Sequence, residues 1–183
     1  MRQTELQRLL AKADNQGVWA FTLATLSALL GGVEPSYHAL ALKRAADRGV
    51  LVRAARGVYV NPLARSLPSD PRSALVTFLR PREFSYLSLE ARLSEAGVIS
   101  QVATALTCMT TGPSGEFHTP WGIIEFVHTV RPVTKQSGIE FSGNELPRAS
   151  VERAWRDLKR VGRNVGLVDD ATLRAAVASE VVT

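Results

Sequence analysis

The chain has 183 residues, 45% of them hydrophobic and 21% charged, with 13 Gly, 9 Pro, one Cys and a formal net charge of +5. This is ordinary globular composition; it excludes disorder, collagen and coiled coil as the main architecture, and the length suits one large or two small domains. The lone Cys108 excludes an intrachain disulfide and a multi-cysteine zinc site, and the longest uncharged apolar run, Val18 to Gly32, is too short to span a bilayer.

The chain starts MRQTELQRLLAKADNQG, with neither an apolar h-region nor a small-residue cleavage site, so a cytoplasmic protein with no membrane segment is expected. Leu6, Leu9, Leu10 and Ala13 recur at helical spacing after Thr4, which predicts a helix over 4–15 capped by Thr4 and ended near Gly17. Val18 to Phe21 reads as a short buried strand, and Thr22 as the N-cap of a helix through Leu30, stopped by Gly31-Gly32. Pro35 opens the next helix, which Gly49 ends. Two helices around a short Gly-containing turn form a helix-turn-helix.

The second of these helices has two different sides. His38, Ala39, Leu42, Ala45 and Ala46 suit packing, while Ser36, Tyr37, Leu40, Lys43 and Arg44 form the opposite side. The latter composition fits a DNA major groove: arginine pairs bidentately with guanine, serine and tyrosine reach phosphates or base edges, and leucine touches a thymine methyl. A solvated helix face is the plainer reading of that side taken alone. Next, Val50 to Arg53 and Gly57 to Val60 are β-prone runs separated by Ala54-Ala55-Arg56, a hairpin with Arg53 and Arg56 at its tip. A helix-turn-helix followed by such a hairpin is the winged form, in which the wing reaches an adjacent backbone or minor groove. Charge agrees: residues 1–65 hold nine basic and four acidic side chains and carry the whole excess, whereas the other 118 balance 13 against 13.

The stretch ALKRAADRGVLVRAARGVYVNP, residues 41–62, resembles the winged helix of the AbiEi antitoxin family. FSYLSLEARLSEAGVISQ, residues 84–101, followed by a β-rich stretch with T-x-G and a late G-I-I-E-F strand, is similar to that family's C-terminal antitoxin domain. The resemblance covers roughly residues 5–130. It implies a transcriptional autorepressor binding inverted repeats in its own promoter. It also implies antitoxin activity against a nucleotidyltransferase-like AbiEii toxin, within a bacterial type IV toxin–antitoxin, abortive-infection pair that confers phage resistance. Counteraction in that family need not involve a stable antitoxin–toxin complex.

The expected fold is α+β: a winged helix-turn-helix over 1–65, then an α+β domain over 66–183 with a small antiparallel sheet. In that second part the pattern predicts a helix over 70–79 with Ala74, Leu75, Phe78 and Leu79 inward, a strand over 84–86 and a helix over 88–96. Two β-rich segments, Thr104 to Thr111 and Gly122 to Val130, follow. Glu116, His118, Glu125, His128 and Cys108 lie near enough in sequence to be weighed as metal ligands, but no H-E-x-x-H or paired Cys supports that. A cross-strand polar pair is the plainer reading. With no P-loop, no G-x-G-x-x-G and no G-x-S-x-G, neither a cofactor nor a catalytic site is expected.

After Leu146-Pro147, Val151, Trp155 and Leu158 anchor a helix whose other side carries Arg153, Arg156, Lys159, Arg160 and Arg163; residues 148–163 hold six basic and two acidic side chains. This is a candidate second nucleic-acid or antitoxin surface, to be weighed against a solvated helix face. A last short helix is expected over 167–180, capped near Asp169 or Asp170. The leading expectation is therefore a non-enzymatic protein reading double-stranded promoter DNA through Ser36, Tyr37 and Arg44. Lys43, Arg53 and Arg56 would hold phosphates or the minor groove, with a second protomer on the inverted repeat. The alternatives are a protein–protein adaptor using the winged helix and the basic C-terminal helix, and a hydrolase using His118 or His128.

Overall fold

Leu6, Leu10 and Ala13 share one buried face, which makes the first element an amphipathic helix, α1 (Gln3–Asp14). The computed structural model describes residues 3–30, 35–143 and 145–181, with side chains over 4–30, 39–143 and 145–180. Because α1 begins at Gln3, Thr4 lies within its first turn instead of capping it. Then follow β1 (Ala20–Thr22), α2 (Leu23–Leu29), α3 (Pro35–Asp47), β2 (Val52–Ala55) and β3 (Val58–Val60). Contacts divide the chain into two compact units, Met1–Pro71 with Thr119–Trp121, and Arg72–His118 with Gly122–Thr183. The whole is a mixed α+β fold.

In the first unit the three strands form one antiparallel sheet in the order β1-β3-β2. Thr22 caps α2 as expected: its Oγ1 accepts from Thr25 N–H (3.1 Å), while its own N–H donates to Thr25 Oγ1 (2.8 Å). Gly31-Gly32, expected to stop α2, lies outside the described residues. Helix α3 ends where Gly49 takes a left-handed conformation (φ +72°) and Val50 N–H turns back to Ala45 O (2.9 Å). The hairpin turn, expected over 54–56, is shorter and falls at 56–57. Ala54 and Ala55 belong to β2, a register shift falls between Arg53 and Ala55, and Arg56-Gly57 make the turn with Gly57 at φ +79°. The core joins Leu6 and Leu10 of α1, Leu26 of α2, Leu42 and Ala45 of α3, and Phe21, Leu51 and Tyr59. The carboxylate of Asp14 accepts from the N–H of Arg65 (2.9 Å) and from the N–H (3.0 Å) and Oγ (2.6 Å) of Ser66, fastening the segment after β3 to the end of α1.

The second unit contains α4 (Arg72–Leu79), β4 (Ser85–Leu87), α5 (Leu89–Glu95), β5 (Ala105–Thr110), β6 (Gly115–Thr119) and β7 (Gly122–His128). After these come β8 (Ile139–Glu140), β9 (Arg148–Ala149), α6 (Val151–Val161) and α7 (Asp170–Val181). The expected small antiparallel sheet is corrected here. Six strands run in the order β6-β7-β5-β4-β9-β8, and the pairs β5/β7 and β4/β9 are parallel. For β5/β7 the cause is β6, read from sequence as part of a connector: the chain leaves β5, forms β6 at the sheet edge and returns as β7 between the two, in the same direction as β5. On α4 the buried positions are Leu75 and Val76, whereas Ala74 is exposed. Helices α5 and α6 pack together through Leu89, Leu93, Val151, Ala154 and Leu158 over Tyr86 and Met109 of the sheet. Asp169 caps the last helix, its Oδ1 accepting from Thr172 N–H (2.8 Å).

Candidate nucleic-acid interface

Helix α3 has the two-sided character its sequence implies. Leu42 and Ala45 are buried in the core of the first unit, while Leu40 (50% exposed), Lys43 and Arg44 face solvent. Ser36, Tyr37 and His38 belong to the first turns of α3, but their side chains lie outside the described residues. Beside α3, Arg53 on β2 and Arg56 in the turn are both exposed. The Arg53 Nε–H donates to Ala55 O (3.3 Å), across the register shift. A groove of about 510 Å³ runs between α3 and the hairpin, lined by Ala39, Lys43 and Asp47 on one side and Val52, Arg53 and Tyr59 on the other. Among the described residues, no carboxylate makes an ion pair with Lys43, Arg44, Arg53 or Arg56. The site is thus a groove lined by Lys43, Arg53 and the carboxylate of Asp47, with Arg44 and Arg56 exposed on the same helix and hairpin.

The basic residues of the C-terminal helix are placed differently, and the expectation of one five-residue cationic face is corrected. Arg153 is inside, its side chain 6% exposed. Its Nε–H donates to Asp157 (3.1 Å), Nη1 to Ser137 O (2.9 Å) and Nη2 to Tyr86 Oη (2.7 Å). Asp157, fully buried, also accepts from Tyr86 Oη (2.9 Å), Ser88 Oγ (3.0 Å) and Arg160 Nη1 (3.1 Å). Burial, reinforced by the Asp157 charge, pushes the Tyr86 phenol well above its ordinary value. Arg163, beyond the end of α6, forks onto two carboxylates, with Nε to Glu90 (2.9 Å) and Nη2 to Glu125 (2.7 Å). Glu125 first, and then Glu90, hold its guanidinium charged against partial burial. Lys159 lies over the Trp155 ring at 5.1 Å, and Arg156 stands 3.8 Å from Glu152. Periodicity places these side chains around a helix axis, but it does not reveal that Tyr86, Glu90 and Glu125 come to meet them.

The other residues weighed from sequence are dispersed. His118 Nε2 is 2.8 Å from Glu116, two residues away on the same strand β6, so this polar pair is not the expected cross-strand pair. His128 Nδ1 is 2.8 Å from Gly112 O, Glu125 is held by Arg163, and Cys108 is buried in β5, where burial pushes its thiol up. Among the described residues no three His, Cys, Asp or Glu side chains are gathered where they could hold a metal ion. None of the described helices is long and apolar enough to cross a membrane. No protein-family model matches the chain, and no curated protein matches it.

Proposed function

We propose that the first unit is a winged helix-turn-helix that binds double-stranded DNA, and that the protein is an autorepressor acting as a pair of protomers on inverted repeats in its own promoter. The observation that carries this reading is the groove between α3 and the hairpin, with Lys43, Arg44, Arg53 and Arg56 exposed and without described carboxylate partners. The order α-β-α-α-β-β with strand order β1-β3-β2 supports it, since this sequence of elements is what a helix-turn-helix with a wing requires. In this reading α3 enters the major groove. Ser36, Tyr37 and Arg44 reach base edges, and Lys43, Arg53 and Arg56 hold phosphates or an adjacent minor groove.

The antitoxin role, exercised in the cytoplasm against an AbiEii-like nucleotidyltransferase toxin, is proposed for the second unit on the resemblance of residues 84–101 and the G-I-I-E-F strand alone. Equilibrium binding to the DNA upstream of the gene, measured across a salt series, tests the DNA-binding part. Arg44→Ala is expected to cost about 1–3 kcal/mol and relax preference at one base, whereas Lys43→Ala weakens all sequences alike and flattens the log-log salt slope by about 1. Absence of binding even at low salt would replace this reading with that of a protein–protein adaptor.

A further inference from the structure

A small cleft in the second unit, about 200 Å³, is lined by Arg131, Pro132, Ser137, Arg153, Arg156 and Arg160. Four guanidinium groups therefore converge from two segments: Arg131 from the loop after β7, and three from α6 at positions i, i+3 and i+7, one helical face. Among the described residues two carboxylates pair with them. Asp157 is buried and already accepts from Tyr86, Ser88, Arg153 and Arg160, and Glu152 is exposed and at 3.8 Å from Arg156, too far for a hydrogen bond. The cluster thus keeps two positive charges in excess. Its members differ in what they have left to give. The donors of Arg153 are almost all consumed by Asp157, Tyr86 and backbone carbonyls, so it is a fixed, buried charge. Arg160 gives Nη1 to Asp157 and keeps Nη2 and Nε, and the side chains of Arg131 and Arg156 make no hydrogen bond among the described residues.

We infer that this cleft binds a terminal phosphoryl group. Asp157 and Glu152 offset two of the four guanidinium charges, so the remaining excess favours a further anion, and a phosphomonoester carries about −1.5 to −2 at neutral pH, matching it. A tetrahedral oxyanion offers acceptors to several guanidinium forks arriving from different sides, whereas a planar carboxylate is satisfied by one or two. The volume falls below the roughly 300–1,000 Å³ of clefts that enclose a whole drug-sized ligand, so the cleft takes the phosphoryl group and leaves the rest of its bearer outside. The bearer is either a small phosphorylated molecule or the phosphorylated end of a nucleic-acid strand. This site is independent of the DNA-binding reading, which concerns the first unit.

The test is calorimetric titration of the full chain with inorganic phosphate, adenosine 5′-monophosphate, adenosine, and a dinucleotide with and without a 5′-phosphate. Saturable binding of phosphate and of the monophosphate, with none of adenosine, is expected. Arg131→Gln combined with Arg156→Gln removes two exposed side chains that make no described hydrogen bond. It is expected to weaken binding by about tenfold or more, as loss of a charge-assisted hydrogen bond does. Arg82→Gln combined with Arg174→Gln removes the same charge from other exposed positions and should change affinity by no more than about twofold. Tighter binding of the phosphorylated dinucleotide than of the monophosphate assigns the bearer to a strand end, and equal or weaker binding assigns it to a small molecule. The inference is overturned if phosphate does not bind, if both double variants lose affinity equally, or if the unphosphorylated dinucleotide binds as tightly as its phosphorylated form. It is equally overturned if a glutamate-rich peptide binds the cleft and phosphate does not displace it.

Discussion

Glu90 sits at the start of α5 with its side chain 12% exposed, and three groups face it: Arg163 through Nε and Nη2, and Asn164 through Nδ2 (2.9 Å). Burial alone would raise its pKa, but the bonds from Arg163 and Asn164 outweigh it and hold the carboxyl below its ordinary value of about 4.5. A depressed folded-state pKa adds stability that is present above the ordinary value and lost as pH falls below it through the folded one. Glu90→Gln is therefore expected to cost about 1–3 kcal/mol at neutral pH, where Arg163 loses a charged partner. The gap between variant and wild-type urea midpoints should shrink once pH falls below about 4.5. A gap that stays constant with pH would show that the carboxylate charge is not what matters. The residue just before Glu90 is also unusual: Leu89, fully buried, has φ +57°, a conformation that costs a bulky side chain energy and that burial in the α5/α6 core sustains. Nothing in the local sequence announces either feature. Glu90 and Arg163 are 73 positions apart, and only the fold pairs them.

At the scale of elements, helices were the most legible part because their signals are local. Thr22 with Thr25 marks the start of α2, Pro35 and Gly49 bracket α3, and Asp169 precedes α7. Thr22→Ala should cost about 1 kcal/mol, read as a lower urea midpoint, and Thr22→Ser should retain most of it. Equal loss in both variants would mean that the methyl packing, and not the capping hydroxyl, carries the effect. The large sheet was the least legible element because its neighbours are not sequence neighbours. The alternation of exposed Glu116 and His118 around half-buried Phe117 was the one local sign of β6, and nothing in it indicates that β7 will come between β6 and β5. The same limit applies to the second basic helix. Its spacing gave the anchors Val151 and Leu158 correctly, yet Arg153 is buried beside them because Asp157, one turn on, and Tyr86, from the sheet, satisfy it.

Across the whole molecule, charge is distributed in two manners. In the first 65 residues the basic excess includes four exposed cations on α3 and the hairpin, two of them lining the groove, without ion-pair partners among the described residues; beyond them the basic and acidic counts balance, and several of the arginines there are tied into carboxylate networks. That division is why the DNA-binding proposal rests on the first unit, where exposed cations without ion-pair partners among the described residues favour counterion-releasing contact with phosphates. In the proposed reading a single helix covers few base pairs, so specificity calls for paired protomers on a repeat. The most direct test is a footprint on the DNA upstream of the gene, with wild type and Arg44→Ala at low and raised salt. Two protected half-sites are expected, with centres about 10–10.5 base pairs apart or a whole multiple of that, fading with salt and lost with Arg44→Ala. No protection at low salt, or protection that Arg44→Ala leaves unchanged, would contradict it.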